Sequence, residues 1–117
     1  MTKHSAEDMA KVAARAADEK KADDVRVLRM PVVVAETEYF VICSASTHVQ
    51  IRAIVNSITA ALEDQGAELL RYEGRGENNW VLLDYGYMVV HVFLEEDRSY
   101  YDLEKLWADA EQVHWYA

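Results

Sequence analysis

At 117 residues, the chain is long enough to form one domain with its own hydrophobic core, without disulfides or metal ions. Hydrophobic residues make up 51% of the sequence, which is typical of a folded protein and argues against disorder. The N-terminus is polar and charged, so we expect no signal peptide, and no apolar run is long enough to span a bilayer. The one cysteine, Cys43, lies in an apolar stretch and is expected to be a buried thiol in a reducing cytoplasm, rather than a nucleophile.

The charge is unevenly distributed along the chain. Residues 1–30 carry seven Lys/Arg and six Asp/Glu, whereas residues 31–117 carry five and fifteen. An acidic body repels phosphate backbones, so little direct contact with nucleic acid is expected. The charge favours a basic protein partner, because complementary charge speeds encounter. On composition alone, a solvated acidic surface that serves only solubility is the better interpretation.

The first third of the chain predicts one helix and one strand. Ser5 followed by Asp8 resembles a capping box, and the apolar spacing that follows predicts a helix to about Lys21. Residues Val25–Met30 read as a strand that ends at Pro31, which cannot donate to a ladder. For residues 32–34, strand and packed loop both remain open.

The middle of the chain predicts a buried strand followed by a long helix. Tyr39–Ser44 is a continuous apolar run, as expected for a central strand. Thr47 and Gln50 form a capping-box pair, and Gly66 occupies the usual C-terminal position of a helix. The helix between them has an apolar stripe at helical spacing, made of Ile51, Ile54, Val55, Ile58 and Leu62.

The last third predicts three strands and a short terminal helix. Glu68–Tyr72 reads as a strand, and residues 80–93 read as two strands joined by a tight turn at Gly86. A helix between strands implies some parallel pairing, and the hairpin implies antiparallel pairing. We therefore predict a single α/β domain over residues 1–117, with a mixed, mostly central sheet of about five strands and helices packed on it. Residues 1–5 and 110–117 are expected to be loose ends.

Strand alternation gives the hairpin two distinct faces. It places Trp80, Leu82 and Asp84 on one face and Val81, Leu83 and Tyr85 on the other. One face must line the core, and the other could present an aromatic, an aliphatic and an acidic side chain together, as interface anchors do. A core tryptophan is an equally good interpretation of Trp80. For His91, a hydrogen-bonded histidine within the sheet is the better one.

The sequence does not have the patterns that catalytic or metal sites need. The four histidines are far apart, and none forms an i, i+4 pair or neighbours a Cys-x-x-Cys. The Gly74–Gly76 loop is followed by a strand rather than a helix, which disfavours a phosphate cradle. Asp23 and Asp24 are adjacent and Asp84 is alone, so the sequence does not indicate a cluster of carboxylates that could hold divalent ions. We expect no enzyme activity, no cofactor and no metal.

Several ordered motifs resemble the Iojap-like ribosomal silencing factor family. The strongest are Trp-Val-Leu-Leu-Asp-Tyr-Gly at residues 80–86 and Val-Val-His-Val-Phe at residues 89–93. The resemblance covers almost the whole chain. Its other landmarks are Lys21–Asp24, Tyr39–Ser44, Gln50, Arg98, Tyr100–Glu104 and Leu106–Trp107. Two departures are Tyr87, where many members carry an acid, and Ala45–Thr47, where Gly-Asn-Ser is usual.

The resemblance implies a cytoplasmic translational repressor. Such proteins bind the large ribosomal subunit through its basic ribosomal protein fourteen and block joining of the small subunit when nutrients are scarce. It also implies a fold similar to the nucleotidyltransferase-like fold, without the catalytic carboxylates, and a possible homodimer. The residues that the resemblance assigns to the docking face are Trp80, Leu82, Asp84, Tyr85 and His91, with Glu73, Arg75 and Tyr87 at or beside its edge. The alternatives are a nucleotide-handling enzyme and a self-associating acidic module.

Overall fold

The computed structural model describes residues 5–31, 37–74, 79–101, 108 and 110–116. Within these residues, the chain forms three helices and six strands. They are α1 (Ala6–Glu19), β1 (Asp23–Arg29), β2 (Tyr39–Ala45), α2 (His48–Asp64), β3 (Arg71–Glu73), β4 (Trp80–Asp84), β5 (Met88–Leu94), α3 (Glu95–Tyr101) and β6 (Glu111–Val113).

The strands form one mixed sheet in the order β3-β4-β5-β2-β1-β6. The two central strands, β2 and β5, pair in parallel, and the other neighbours pair antiparallel. The crossover through α2 allows the parallel pair, and the hairpin supplies β4 against β5. The predicted fold class, a mixed α/β sheet with packed helices, is confirmed.

The sixth strand corrects the expectation of a loose C-terminal end. Residues Glu111–Val113 pair with β1, and Glu111 makes an ion pair with Arg29. Farther on, Trp115 donates its indole N–H to the carbonyl of Val25 over 3.0 Å. These contacts join residues far apart in sequence, so no local pattern near residue 111 could indicate them.

Both long helices begin where the capping residues predict. The Ser5 hydroxyl accepts the amide of Asp8 over 3.0 Å, and the Thr47 hydroxyl accepts the amide of Gln50 over 3.1 Å. The Gln50 side chain does not complete a capping box with Thr47. Its oxygen accepts the amide of Ser46, and its amide donates to the carbonyls of Lys20 and Lys21. Gln50 therefore ties the start of α2 to the end of α1.

The main core lies between the two long helices and one face of the sheet. The α1 residues that face it are mostly alanines, whose small side chains let α1 pack closely on α2 and the sheet. The strands contribute alternate residues to this core, with Val81 and Leu83 from β4 and Val90 and Val92 from β5. Cys43 is fully buried there, and burial raises the pKa of its thiol to about 12, so it is unreactive.

A smaller cluster occupies the opposite face of the sheet. It is built around Ile42 and Phe93 on the central strands and extends to Leu28 and Met30. Phe40, Trp80 and Ala110 pack against it and are only partly buried. This face becomes more exposed toward β4 and β3, the strands that carry Trp80, Leu82, Asp84 and Glu73. The predicted third strand, Glu68–Tyr72, is displaced to Arg71–Glu73. Residues 32–34 lie outside the described residues.

Candidate docking face

The hairpin has the two faces that its alternation predicts. Val81 and Leu83 are buried under the helices, whereas Trp80, Leu82 and Asp84 are half-buried on the opposite face. The adjacent strand β3 extends that face, because Arg71 lies opposite Asp84 and Glu73 lies opposite Leu82. We call the surface formed by Arg71, Glu73, Trp80, Leu82 and Asp84 the β3–β4 face.

Aromatic stacking supports Trp80 from beneath. The ring centroids of Trp80 and Phe93 lie 5.1 Å apart, at an interplanar angle of 28°. Phe93 is fully buried, so it forms a rigid base for the indole. One side of Trp80 therefore packs on the smaller cluster while the rest of the side chain stays partly exposed. This matches neither a core tryptophan nor a free surface residue, and it is typical of an interface anchor.

His91 lies beside Trp80 and is hydrogen-bonded to it. The indole Nε1–H donates to His91 Nδ1 over 3.0 Å, which confirms the expectation of a hydrogen-bonded sheet histidine. Phe40 packs edge-on against the imidazole, with ring centroids 4.8 Å apart. Burial lowers the pKa of His91 from 6.5 to about 4, so the ring is neutral at pH 7. His91 is only 4% exposed and therefore lies under the β3–β4 face rather than on it.

The two carboxylate oxygens of Asp84 make different contacts. One oxygen accepts the amide of Gly86 over 2.8 Å, which fixes the turn between β4 and β5. The other lies 3.9 Å from a guanidinium nitrogen of Arg71. Arg71 in turn pairs with Glu73 over 3.1 Å. The β3–β4 face thus carries two acids around one cation, and all three side chains remain accessible to solvent.

The two tyrosines assigned to the docking face lie elsewhere. Tyr85 is 4% exposed and belongs to the main core, on the helix-covered side of the sheet. Tyr87 is half-buried and also packs against that core, while its carbonyl accepts the amides of Glu38 and Tyr39. Burial raises the pKa of Tyr85 to about 12, which keeps its hydroxyl neutral. The structure therefore corrects the placement of Tyr85 with Trp80. Arg75 lies outside the described residues.

Arg71 is the member of the β3–β4 face that was not predicted from the sequence. The predicted strand Glu68–Tyr72 made Arg71 an ordinary strand residue, with no indication of which face it would occupy. Residues i and i+2 of a strand share a face, so Arg71 is expected on the same face as Glu73. That pattern is usable only once the strand bounds are known.

Two grooves elsewhere on the molecule do not touch the β3–β4 face. One, of about 400 Å³, lies between β1 and β6, and the other, of about 420 Å³, lies beside Ser46 and the start of α3. Among the residues that the structure describes, no three His, Cys, Asp or Glu side chains group so as to hold a metal ion. In the same part of the chain, no helix is both long and apolar enough to cross a membrane.

Comparison with known proteins identifies relatives over nearly the whole chain. The family model described as "Ribosomal silencing factor during starvation" matches residues 3–116. The ribosomal silencing factor of Bacillus subtilis is 43% identical over 100 residues, which cover 86% of this chain and 85% of that protein. The chloroplastic protein Iojap of Zea mays is 37% identical over 86% of this chain, which spans only 43% of that longer protein.

A solved structure has the same fold. The crystal structure of a Chromobacterium violaceum protein superimposes with a TM-score of 0.86 at 30% sequence identity. The match covers 90% of this chain and 88% of that one. The sheet and its packed helices are therefore those of a known natural fold.

Proposed function

Because this chain belongs to the ribosomal silencing factor family, we propose that it docks on the large ribosomal subunit and blocks joining of the small subunit. The docking partner would be the basic ribosomal protein fourteen. The observation that carries the proposal is the β3–β4 face, where half-buried Trp80 and Leu82 adjoin the acids Glu73 and Asp84. The role requires no catalysis, and we propose that the protein acts without a cofactor.

The charge of the protein supports a basic partner. The chain has a formal net charge of −9, and the β3–β4 face contributes two acids against one cation. Such a surface attracts lysine and arginine side chains and repels the phosphates of ribosomal RNA. The expected interface therefore consists of protein–protein contacts with little direct contact to RNA. We expect the protein to act in the cytoplasm, where it meets free large subunits.

The apolar part of the face supports stable docking. A partly exposed tryptophan that is already packed on one side adds contact area without requiring its rotamer to be fixed on binding. Leu82 lies next to it across from Glu73, so the apolar and acidic groups are contiguous. A bound body of about 38 × 31 × 29 Å would then prevent another subunit from approaching the same site.

The test is co-sedimentation of the protein with purified large subunits, followed by addition of small subunits at low and raised salt. We expect salt-sensitive binding that lowers the yield of joined ribosomes. Trp80→Ala should weaken binding by about tenfold or more, as hot-spot substitutions do. The matched control is Val49→Ala, because Val49 is 67% exposed on α2, across the sheet from the face. Equal binding by both variants would count against the proposed face.

Self-association through the same face is the second proposal. A partly exposed apolar anchor can pair with a second copy of the chain as well as with another protein. Homodimers would then compete with ribosome docking, and Trp80→Ala would weaken both. Light scattering at increasing protein concentration measures the mass. A monomer at all concentrations would rule out this proposal and leave the docking proposal intact.

A further inference from the structure

The hydrogen bond between Trp80 and His91 fixes the state of the imidazole. Because Nδ1 accepts the indole N–H, the neutral ring must carry its own proton on Nε2. That Nε2–H is buried, and among the described residues no acceptor lies within hydrogen-bonding distance. A buried donor without an acceptor costs free energy, which an apolar side chain at position 91 would avoid. Nδ1 is therefore the ring nitrogen through which His91 makes its hydrogen bond in this structure.

His91 is held firmly enough to orient its neighbour. Its ring is nearly parallel to that of Phe93, at 8° with centroids 6.1 Å apart, and Phe40 makes an edge-to-face contact with it. It is 4% exposed, so a docking protein would not reach it without rearrangement. Any effect of residue 91 on a partner would therefore pass through another side chain rather than through direct contact.

Trp80 is fixed at two points by these neighbours. Stacking on Phe93 sets the plane of the indole, and the bond from Nε1–H to His91 Nδ1 sets its rotation within that plane. A side chain held in its binding rotamer before contact loses less conformational freedom on docking. The exposed part of the indole is then presented in one orientation beside Leu82.

We propose that His91 is a positioning residue for docking, which orients Trp80 through its Nδ1 acceptor and does not itself touch the partner. This inference rests on the proposed function, in which Trp80 is the anchor. It assigns the bound surface to the β3–β4 face and removes His91 from the set of contact residues.

The test compares three variants in binding to purified large subunits. His91→Leu removes the acceptor and should weaken binding about five- to tenfold, equivalent to one hydrogen bond. His91→Asn places an amide oxygen near the position of Nδ1 and should bind within about twofold of wild type. Trp80→Phe removes the donor while keeping a ring, and His91→Phe, which has no acceptor but keeps a buried ring, replaces His91→Leu if that variant does not fold. Thermal unfolding confirms that each variant is folded.

The double variant Trp80→Phe/His91→Leu decides whether His91 acts through Trp80. Positioning predicts that the double variant binds no more weakly than Trp80→Phe alone, because the donor is already absent. If His91 contacted the partner directly, the fold losses in affinity of the two single variants would multiply in the double variant. The indole N–H resonance of Trp80, identified by its absence in Trp80→Phe, should move in His91→Leu and stay near its wild-type position in His91→Asn.

The outcomes separate this inference from the proposed function. Wild-type protein that does not bind large subunits overturns the proposed function. Wild type that binds, with His91→Leu and His91→Asn equally weakened or the losses multiplying, overturns only the positioning role. Rescue by asparagine together with a non-additive double variant supports both.

Discussion

Gly74 lies against the main chain of Trp80. A Cβ at Gly74 would be 2.3 Å from the carbonyl oxygen of Trp80, closer than any real contact. This close approach brings the end of β3 against the start of β4, which places Glu73 opposite Leu82. The backbone of Gly74 also has a φ of +93°, which side-chain-bearing residues rarely adopt.

We expect Gly74→Ala to lower the free energy of unfolding by about 3 kcal/mol or more, because backbone strain and overlap with Trp80 add together. Urea unfolding measures the change. The matched control is Gly66→Ala, at a glycine with a φ of +82° and no atom within 4 Å of its added Cβ. That variant should lose only about 1 kcal/mol, from the positive φ alone. Equal losses in the two variants would contradict the contact with Trp80.

Arg98 joins α3 to the irregular start of β1. Its guanidinium donates to the carbonyls of Asp23 and Asp24 and to the hydroxyl of Ser44, and its side chain is 9% exposed. Asp24 adopts a φ of +46°, next to a shift in the β1–β2 register. The Arg98 guanidinium thus ties the irregular start of β1 to the end of β2 through the Asp23 and Asp24 carbonyls and the Ser44 hydroxyl.

Arg98→Leu should destabilise the protein by about 2 to 3 kcal/mol, because it removes a donor from the partly buried carbonyls of Asp23 and Asp24 and from the buried Ser44 hydroxyl. Arg98→Lys keeps the charge, but its nitrogen lies one bond short of the position of Nη1, which makes all three hydrogen bonds, so an intermediate loss is expected. The midpoint of urea unfolding distinguishes the three proteins. Wild-type stability in Arg98→Leu would show that these hydrogen bonds contribute little.

The buried histidine makes stability depend on pH. The pKa of His91 is about 4 in the folded protein and about 6.5 when the chain is unfolded. Between these values the unfolded chain binds a proton that the folded protein does not bind. The free energy of unfolding therefore falls as the pH drops from about 6.5 toward about 4.

Between pH 7 and pH 5, wild type should lose about 2 kcal/mol more stability than His91→Asn, which has no group to titrate at this position. Urea unfolding at both pH values gives the difference, and carboxylates shared by both proteins cancel. His114→Asn is the matched control, because His114 is exposed near the C-terminus. The same pH dependence in wild type and His91→Asn would mean that His91 is solvated in the folded protein.

Arg71 is a cation of the protein itself that pairs with both acids of the β3–β4 face. Its side chain is 64% exposed, so its ion pairs with Glu73 and Asp84 are weak and replaceable. A lysine or arginine of a docking partner would compete with it for the same carboxylates. The proposed function therefore predicts that Arg71 opposes docking.

Arg71→Gln should tighten binding to large subunits by about two- to threefold at low salt and make it more salt-sensitive, because the face gains net negative charge. Glu73→Gln should have the opposite effect. Arg52→Gln makes the same charge change on an exposed part of α2 and should alter affinity less. Weaker binding by Arg71→Gln would indicate that Arg71 itself contacts the partner.

Features that depend on neighbours in sequence were predictable. The capping residues Ser5 and Thr47 lie at the predicted helix starts, and the strand Trp80–Asp84 has the predicted faces. Gln50 was predicted to cap its own helix, but it bonds instead to carbonyls at residues 20 and 21. A side chain with several rotatable bonds takes whichever partner the fold brings near, and the sequence does not show that partner.

The sequence by itself determined the order of elements through α3 and which residues of β4 share a face. These follow from periodicity, because a helix or strand repeats over a few residues whatever surrounds it. Only the tertiary structure decided that His91 accepts from Trp80, that Arg71 lies between Glu73 and Asp84, and that residues 111–113 complete the sheet. These contacts depend on strand register and on the pairing of distant segments, which is settled when the whole core packs.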